Sequence, residues 1–234
     1  AANELPTQRV ALAVGGSQFN HRVLTLPRMS EKKRAAVLTR EFSTGGADVT
    51  APLDDYMLLS TDKKTKADTV LATRVESAVI ETYINLAAAC GLKLYSIDLA
   101  LAGQIKLVRA TPELAGKSFV MLQFDGDSLI AGLYEKGQYK YSTRSRLFNP
   151  RGTEASGAEI GQKLSGLIQF QTAAKSEHPI KAVYFGGSTA ADLAVCTPAC
   201  RALQLEAAPY PETENIKLPE GIRLADIALA AGNL

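Results

Sequence analysis

The feature that most limits how this chain can fold is the segment 182–190, AVYFGGSTA, in which an apolar run leads into two glycines and then hydroxyl residues. The apolar run predicts a buried strand, and Gly186 and Gly187 predict a tight turn directly after it. Because glycine has no Cβ atom, a ligand can approach such a turn closely, and the amides at the start of the next helix can bind an anion. The simpler interpretation is a strand-to-helix connection in which Ser188 or Thr189 caps the helix.

A second constraint is a set of three runs with strand character that follow one another closely: 118–124, 128–134 and 138–147. They predict a three-stranded meander. The first turn contains Asp125, Gly126, Asp127 and Ser128, and Asp-Gly is a strong hairpin signal. Two carboxylates beside a glycine would also suit a hydrated Mg²⁺ ion next to phosphates. From the residues alone, a plain hairpin turn and a phosphate site both stay open.

A long amphipathic helix is predicted at 158–176, after the meander, and a short helix at 189–194 follows the glycine turn. On the long helix, Glu159 and Lys163 are four residues apart and therefore share a face, with Gln162 beside them. They form either a surface ion pair or a pair of ligands for a ribose or base edge. This order of strands and helices predicts an α/β fold with a mixed sheet.

The first hundred residues begin with an apolar strand at 10–14 that ends in two glycines. A strand, helix, strand, strand, helix, strand order follows. Its strands are predicted at 23–26, 56–60, 69–74 and 92–99, and its helices at 31–42 and 76–90.

Composition excludes several classes of protein. The chain has 234 residues, of which 46% are hydrophobic and 21% charged, as in globular proteins. A net charge of +2 gives no bulk attraction for nucleic acid, and no run approaches the roughly 20 apolar residues of a membrane-spanning helix. Three cysteines, an odd number, argue against a disulfide framework and favour a reducing compartment.

The sequence lacks the common catalytic and metal-binding motifs GxSxG, Walker A, HExxH and GxGxxG. His21 and His178 have no other ligand type at metal spacing, and Cys196 and Cys200 are more typical of buried thiols than of zinc ligands. A basic run with interleaved tyrosines favours a solvated strand face over a surface for nucleic acid or an acidic partner. The run consists of Lys136, Lys140, Arg144, Arg146 and Arg151, with Tyr134, Tyr139 and Tyr141.

Taken together, these features resemble the PilM family of type IV pilus assembly proteins, which are actin-like proteins related to FtsA and to the cytoplasmic part of GspL. The resemblance covers nearly the whole chain as a pattern and does not rest on one diagnostic motif. The matching segments are 10–14 with the following glycines, 23–27, 29–40, 68–74, 88–92 with 97–98, 119–137, 159–171, 183–190 and 228–232.

The resemblance implies an α/β fold with mixed sheets, actin-like and RNase H-like, that carries an inserted βαββαβ subdomain. Residues 1–21 would be a remnant of the first actin-like half, and residues 22–99 the inserted subdomain. Residues 100–234 would be the second half, with a five-stranded sheet. Because the chain starts at Ala1 and near the last strand of the first half, the N-terminal part of that half is expected to be missing.

Actin-like proteins hold nucleotide phosphates between two hairpins, and the resemblance places Gln123 and Asp125 where the second hairpin has Asp and Gly. Gln123 has no charge for metal-bound water, and Asp125 would repel a phosphate. An alternative alignment gives Asp125 and Gly126 the Asp-x-Gly role, with a shorter hairpin arm. The resemblance implies that binding of ATP and Mg²⁺ is weak or lost, without a catalytic residue. The expected nucleotide-site residues are Asp125, Gly126, Asp127, Ser128, Glu159, Lys163, Gly186, Gly187 and Ser188.

The resemblance further implies a cytoplasmic scaffold that binds the tail of a PilN-like inner-membrane protein and reaches the membrane only through that partner. Its groove would lie by the inserted subdomain and would need exposed apolar or edge-strand surface. The expected partner contacts are Leu24, Leu26, Pro27, Arg28, Tyr56, Leu58, Leu71 and Arg74.

Two other functions stay open at this point. One is an active actin-fold ATPase or phosphotransferase with Asp125, Asp127 and the glycine turn as its site. The other is an FtsA-like division protein, which would self-associate into filaments and attach to the membrane by a basic amphipathic C-terminal helix. The sequence up to Leu234 shows no such helix.

Overall fold

The computed structural model describes residues 9–43 and 50–232. The chain divides into two compact units, residues 1–102 and 103–234. The first unit contains β1 (Arg9–Val14), β2 (Asn20–Pro27), α1 (Glu31–Ser43), β3 (Pro52–Asp62), β4 (Ala67–Glu76), α2 (Ser77–Ala89) and β5 (Lys93–Leu99). The second contains most of α3 (Ala100–Arg109), a short 3-10 helix (Pro112–Leu114), β6 (Phe119–Asp125), β7 (Ser128–Glu135), β8 (Gln138–Arg146), α4 (Glu154–Ala173), β9 (Ala182–Gly186), α5 (Ala190–Ala202), β10 (Glu206–Pro209) and α6 (Leu224–Ala231).

In the first unit, α1 packs on one face of a three-stranded antiparallel sheet with the strand order β2-β4-β3. Side chains alternate between the faces of a strand, so Val70 and Ala72 of the central strand point to the same side. There they form a core with Leu38 and Phe42 of α1 and with Leu26 of β2. The predicted strands and helix are present, and β3 and β4 extend beyond their predicted ends.

Two buried ion pairs lie on the same face as this core. Arg74 of β4 makes a bidentate contact with Asp54 of β3, with Nε–Oδ1 and Nη2–Oδ2 distances of 2.7 and 2.8 Å. Arg34 of α1 lies 2.6 Å from a carboxylate oxygen of Asp68. Because a buried charge is tolerated only when it is paired, these contacts fix the helix and the strands in one arrangement.

The last strand of the first unit does not join that sheet. β5 pairs in parallel with β1, from Arg9 opposite Lys93 to Val14 opposite Leu99. The βαββαβ order predicted for residues 22–99 is present, but its strands are divided between two sheets.

The second unit is built on a five-stranded sheet, as the resemblance implied, with the order β10-β9-β6-β7-β8. The strands β6, β7 and β8 form the predicted antiparallel meander, while β9 runs parallel to β6. One face packs against α4 and α5 through Val183, Phe185 and Ile160. The other face lies against α6, since a Cβ atom added to Gly186 would come 2.9 Å from Ala228.

The short helix predicted at 189–194 is longer in the structure. α5 continues to Ala202 and passes through Pro198, which has no N–H to donate to the helix. Cys196 and Cys200 are completely buried in the core of the second unit. Burial of this helix face therefore outweighs the lost hydrogen bond, and the prediction that the helix ends at 194 is wrong.

The cysteines are free thiols, with Cys90 exposed and Cys196 and Cys200 buried. Burial raises the pKa of Cys196 to about 12 and that of Cys200 to about 11, so both are protonated at neutral pH. Across residues 9–43 and 50–232, no group of histidine, cysteine, aspartate and glutamate side chains is placed to hold a metal ion. Within the same ranges, no helix combines the length and apolar character needed to cross a membrane.

Candidate functional site

The two turns that stand out in the sequence lie at the same edge of the five-stranded sheet. β6 and β9 are parallel neighbours, and Gln123 near the end of β6 is in register with Gly186 at the end of β9. Because parallel strands end at the same edge, the turn at 125–128 and the turn at 186–188 are adjacent. The fold therefore places together the two turns of the predicted nucleotide site.

The glycines of the second turn are packed closely against other parts of the protein. A Cβ atom on Gly186 would collide with the side-chain oxygen of Gln123. Gly187 has a φ of +64°, and a Cβ atom there would lie 2.6 Å from the carbonyl oxygen of Phe124. Its N–H donates to the carbonyl oxygen of Ala225 in α6 at 2.7 Å. Internal packing is thus sufficient to explain both glycines.

Gln123 lies beneath this turn with its side chain buried. Its Nε2 donates to the carbonyl oxygen of Phe124 at 3.1 Å, while its Oε1 has no hydrogen-bond partner in the part of the chain that the structure describes. The amide occupies the space that the absent Cβ atom of Gly186 leaves open. It supplies no negative charge for metal-bound water at this position.

Arg151 connects the two turns. Its guanidinium donates to the carbonyl oxygens of Gly126 at 3.3 Å and of Gly187 at 2.8 Å. It also lies 4.4 Å from the centre of the Phe124 ring and pairs with the carboxylate of Asp192 in α5. The Arg151 side chain therefore lies between the two turns and is held there by Asp192.

The sequence did not reveal this role of Arg151. It was predicted to belong to the solvated basic strand face, but it lies beyond the end of β8, and its side chain is only 24% exposed. The contact that defines its role joins it to Asp192, 41 residues further along the chain. Sequence spacing carries no signal for such a distant pair.

Asp192 anchors both Arg151 and the first turn of α5. One carboxylate oxygen accepts hydrogen bonds at 2.8 Å from the backbone N–H and the hydroxyl of Thr189, the N-cap residue. Burial alone would raise the pKa of Asp192, but the hydrogen bonds from Arg151 and Thr189 outweigh burial and hold the pKa below its ordinary value. Ser188 is half-buried next to this cap, and the structure confirms that Thr189 caps the helix.

We expect Asp192→Asn to change how stability depends on pH. A carboxyl group with a lowered pKa in the folded state contributes stability above its unfolded pKa of about 4, and this contribution disappears as the pH falls through the folded value. The wild-type protein should therefore lose stability more steeply than D192N in acid, below about pH 4. Urea unfolding followed by far-UV circular dichroism at a series of pH values measures the difference, and identical profiles would contradict it.

The carboxylates of the first turn face basic side chains of β8. Asp125 lies 3.9 Å from Arg144, and Asp127 lies 3.7 Å from Arg146. Ser128 accepts a long hydrogen bond of 3.4 Å from Arg144. Exposed pairs of this kind are weak and do not by themselves keep Mg²⁺ away. Next to this turn lie the neutral side-chain amide of Gln123, the backbone N–H of Gly187, which already donates to Ala225, and the guanidinium of Arg151.

Glu159, paired with Lys163, fixes the loop that follows β8. The carboxylate of Glu159 accepts hydrogen bonds from the backbone N–H groups of Phe148 and Asn149 at 3.1 and 3.2 Å and from the Asn149 side chain at 3.1 Å. Lys163 lies 3.5 Å away on the same helix face. Burial would raise the pKa of Glu159, but these hydrogen bonds and the lysine lower it below its ordinary value. The ion-pair interpretation accounts for both residues without a ligand.

The eight residues expected at the partner groove lie in or next to the three-stranded sheet and differ in exposure. Leu26, Leu71 and Arg74 are buried, Leu24 and Tyr56 are half-buried, and Pro27, Arg28 and Leu58 are exposed. The buried residues serve the packing of the first unit, as Leu26 does in the core under α1 and Arg74 in its ion pair. Direct partner contact is open only to the other five.

These five residues belong to the two edges of the sheet. Because the strand order is β2-β4-β3, the strands that carry Leu24 and Leu58 each have one side that is not paired within this sheet. Arg28 directly follows β2 and donates its backbone N–H to Lys66 at 2.8 Å, which joins the ends of β2 and β4. Tyr56 is oriented by Arg34, which donates to its hydroxyl at 2.9 Å.

No protein-family model matches the chain, and no curated protein matches it. Among solved structures, it is similar to a PilM-PilN type IV pilus biogenesis complex, with 15% identity and a TM-score of 0.75 over 97% of this chain and 79% of the other. It is also similar to the cytoplasmic domain of EpsL, an inner-membrane component of the type II secretion system of Vibrio cholerae. That match has 12% identity and a TM-score of 0.51 over 96% of this chain and 74% of the other.

A third similar structure is a protein of unknown function with an actin-like ATPase fold from Bacteroides thetaiotaomicron. It has 10% identity and a TM-score of 0.51 over 86% of this chain and 68% of the other. At these identities the similarities establish the fold. The predicted actin-like α/β fold and the resemblance of this chain to PilM are confirmed at that level.

Proposed function

We propose that this protein is an actin-like scaffold of a type IV pilus or type II secretion assembly platform and that it binds the cytoplasmic tail of a PilN-like inner-membrane protein. The observation that carries the proposal is the similarity of nearly the whole chain to the PilM-PilN complex. The similarity to the EpsL cytoplasmic domain supports a place in an assembly platform. On this proposal the protein works in the cytoplasm and is held at the inner membrane by its partner.

The edges of the three-stranded sheet support a surface for an extended tail. An unpaired strand edge can add a strand from another chain, with specificity supplied by alternate side chains. Leu24, Pro27 and Arg28 lie at the β2 edge, and Tyr56 and Leu58 lie in the edge strand β3. The ion pairs beneath α1 keep these strands in a fixed arrangement, which lowers the entropy lost on binding.

We expect Leu58→Asp to weaken binding of a synthetic PilN-like tail peptide by tenfold or more, on the order of a hot-spot substitution. Leu58 is 43% exposed, so the change places a charge on the surface without disturbing a core. Ile222→Asp is the matched control, because Ile222 is 44% exposed and lies in the other unit. Calorimetric titration with the peptide measures the affinity of each variant. Equal affinities of the two variants for the peptide would show that the tail does not bind at Leu58.

We further propose that nucleotide binding by the second unit is weak or lost. Three features support this: Gln123 is neutral, the N–H of Gly187 already has a partner, and Arg151 lies between the turns. The residues of the predicted site would then stabilise the fold and carry out no reaction.

We expect titration with ATP and Mg²⁺ to show no tight binding, and we expect no turnover in the same sample. The physical reasons are that the neutral Gln123 has no charge to hold metal-bound water and that the N–H of Gly187 already donates to the carbonyl oxygen of Ala225. Tight binding without hydrolysis would contradict the loss of the site and indicate a nucleotide-stabilised scaffold. Rapid turnover that Asp127→Asn abolishes would instead favour an active phosphotransferase.

A further inference from the structure

We infer that the outer edge of β8 is a second docking surface, which binds an extended acidic segment of a partner protein by strand addition. This surface, called the β8 edge below, consists of residues 138–146 with the neighbouring aromatic side chains Phe148 and Phe170. It belongs to the second unit, whereas the sheet edges assigned to the PilN-like tail belong to the first, and it does not depend on that assignment.

The position of β8 in the sheet leaves one of its edges unpaired. β8 is the last strand in the order β10-β9-β6-β7-β8, and its recorded strand partner among residues 9–43 and 50–232 is β7. The strand has nine residues, which is long for an edge strand. An edge of this length presents a row of backbone donors and acceptors to which an extended peptide can add.

The charge of β8 points to an acidic occupant. Its sequence, QYKYSTRSR, contains three basic residues and no carboxylate. The Arg146 side chain is 77% exposed and that of Lys140 51%. Their acidic neighbours outside β8 are 3.7 Å or more away. The partners of Arg144 and Arg146, Asp125 and Asp127, are themselves exposed, so these two pairs are weak and can be exchanged for others.

The same charges argue against a second copy of this chain as the occupant. If the β8 strands of two copies paired edge to edge, the basic side chains of one strand would lie close to those of the other. Like charges on paired strands are destabilising. Edge strands often carry basic residues for this reason. A segment whose carboxylates lie next to the basic side chains of β8 would instead be attracted to them.

Aromatic side chains lie on the other face of β8 from Arg144 and Arg146 and next to its end, where they could contact apolar residues of a partner. Tyr141 of β8 stacks on Phe170 of α4 with ring centres 4.6 Å apart, and both rings are more than two-fifths exposed. Phe148, just after β8, is 89% exposed although the carboxylate of Glu159 fixes its backbone N–H. A rigid, exposed aromatic ring is the kind of side chain that anchors protein interfaces.

The register of β8 defines the pattern of the occupant. Arg144 and Arg146, which are in register with Ile130 and Ser128 of β7, point to one face of the sheet. Tyr141 points to the other face. An added strand would therefore carry acidic residues two positions apart next to the arginines. An apolar residue would lie an odd number of positions away, against Tyr141.

The test uses the full chain and two fluorescein-labelled ten-residue peptides, one alternating Glu with Val and one alternating Lys with Val. We expect the Glu–Val peptide to bind, and to bind at least tenfold more weakly when sodium chloride is raised from about 50 mM to about 500 mM. The double variant R144E/R146E should weaken this peptide at least tenfold and strengthen the Lys–Val peptide. The control R201E/K217E makes the same change in net charge elsewhere in the unit and should stay within twofold of wild type.

A Glu–Val peptide that is N-methylated at every residue keeps its charge but loses all its backbone donors, and we expect its binding to wild-type protein to be at least tenfold weaker. This comparison needs no protein variant, so it decides the matter even if R144E/R146E fails to fold. Equal binding of the methylated peptide, no binding of the Glu–Val peptide, or an unchanged affinity in R144E/R146E would each overturn the proposal. Tighter binding of an oligo-dT strand that depends on the same arginines would overturn it in favour of nucleic acid.

Discussion

Arg74→Ala should lower the free energy of unfolding of the first unit by about 3–5 kcal/mol, the range measured when one partner of a buried ion pair is removed. The Arg74 side chain is 4% exposed and makes two short contacts with Asp54. Without it, the carboxylate of Asp54 would remain largely buried with the hydroxyl of Thr39 as its remaining donor. The guanidinium is also what depresses the pKa of Asp54, so the substitution removes the strongest interaction of that charge.

The effect should extend to α1, because Arg74 is not only the partner of Asp54. Its Nη2 donates to the carbonyl oxygen of Thr39, and its guanidinium lies 5.2 Å from the centre of the Phe42 ring. Hydrogen exchange measured by mass spectrometry should therefore show faster exchange in peptides from α1 and from β3 and β4. Peptides from the five-stranded sheet serve as an internal reference.

A salt bridge on the surface provides the matched control. Arg223 and Asp226 are 2.6 Å apart but well exposed, and Arg223→Ala should leave the free energy of unfolding nearly unchanged. The double variant D54A/R74A should be more stable than the sum of the two single changes predicts, since no unpaired charge stays behind. Equal effects of Arg74→Ala and Arg223→Ala would show that burial does not matter at this pair.

Local sequence signals predicted most of the elements because they depend on neighbouring residues. Apolar runs bounded by glycine gave β1 and β9, and the turn at 125–128 gave the β6–β7 hairpin. The start of α5 was predicted correctly, since a hydroxyl residue capping a helix acts within four residues. The end of α5 was missed because its extension past Pro198 depends on burial in a core formed by distant strands.

Contacts between distant residues could not be predicted in the same way. β5 lies 79 or more residues from its parallel partner β1, and an apolar strand does not show in its sequence which strand it will join. Leu71 was expected at a partner surface but is buried, because whether a strand is central or at an edge follows from the sheet order. Arg151 lay in a basic run, and its actual partners are two turns and a helix start.

The candidate site shows the same division between local and distant information. Gly186 and Gly187 were recognised because glycine is conspicuous, but the sequence left open whether a ligand or the protein itself lies against them. In the structure, Gln123 and Phe124 fill that space. Packing alone therefore accounts for both glycines, which is consistent with the proposed scaffold function.

Gly157→Ala should lower the free energy of unfolding of the second unit by about 1–3 kcal/mol, the usual effect of overpacking a core. A Cβ atom on Gly157 in α4 would lie 2.5 Å from the backbone carbonyl oxygen of Val195 in α5. A backbone atom within a helix cannot rotate away as the end of a side chain can. The two helices would have to move apart, and α5 would shift together with Asp192, which holds Arg151 between the turns.

The same helix contains controls for this substitution. A Cβ atom on Gly166 would meet nothing within 4 Å, so Gly166→Ala should stabilise the protein by about 0.5–1 kcal/mol through the higher helix propensity of alanine. Gly161 is intermediate, with a Cβ atom 3.2 Å from the side chain of Ala199. Urea unfolding should therefore rank the variants G166A, G161A and G157A in order of decreasing stability. If all three were stabilising, α4 and α5 would not be packed as closely as the structure shows, and the position of Asp192 beside the turns would lose its support.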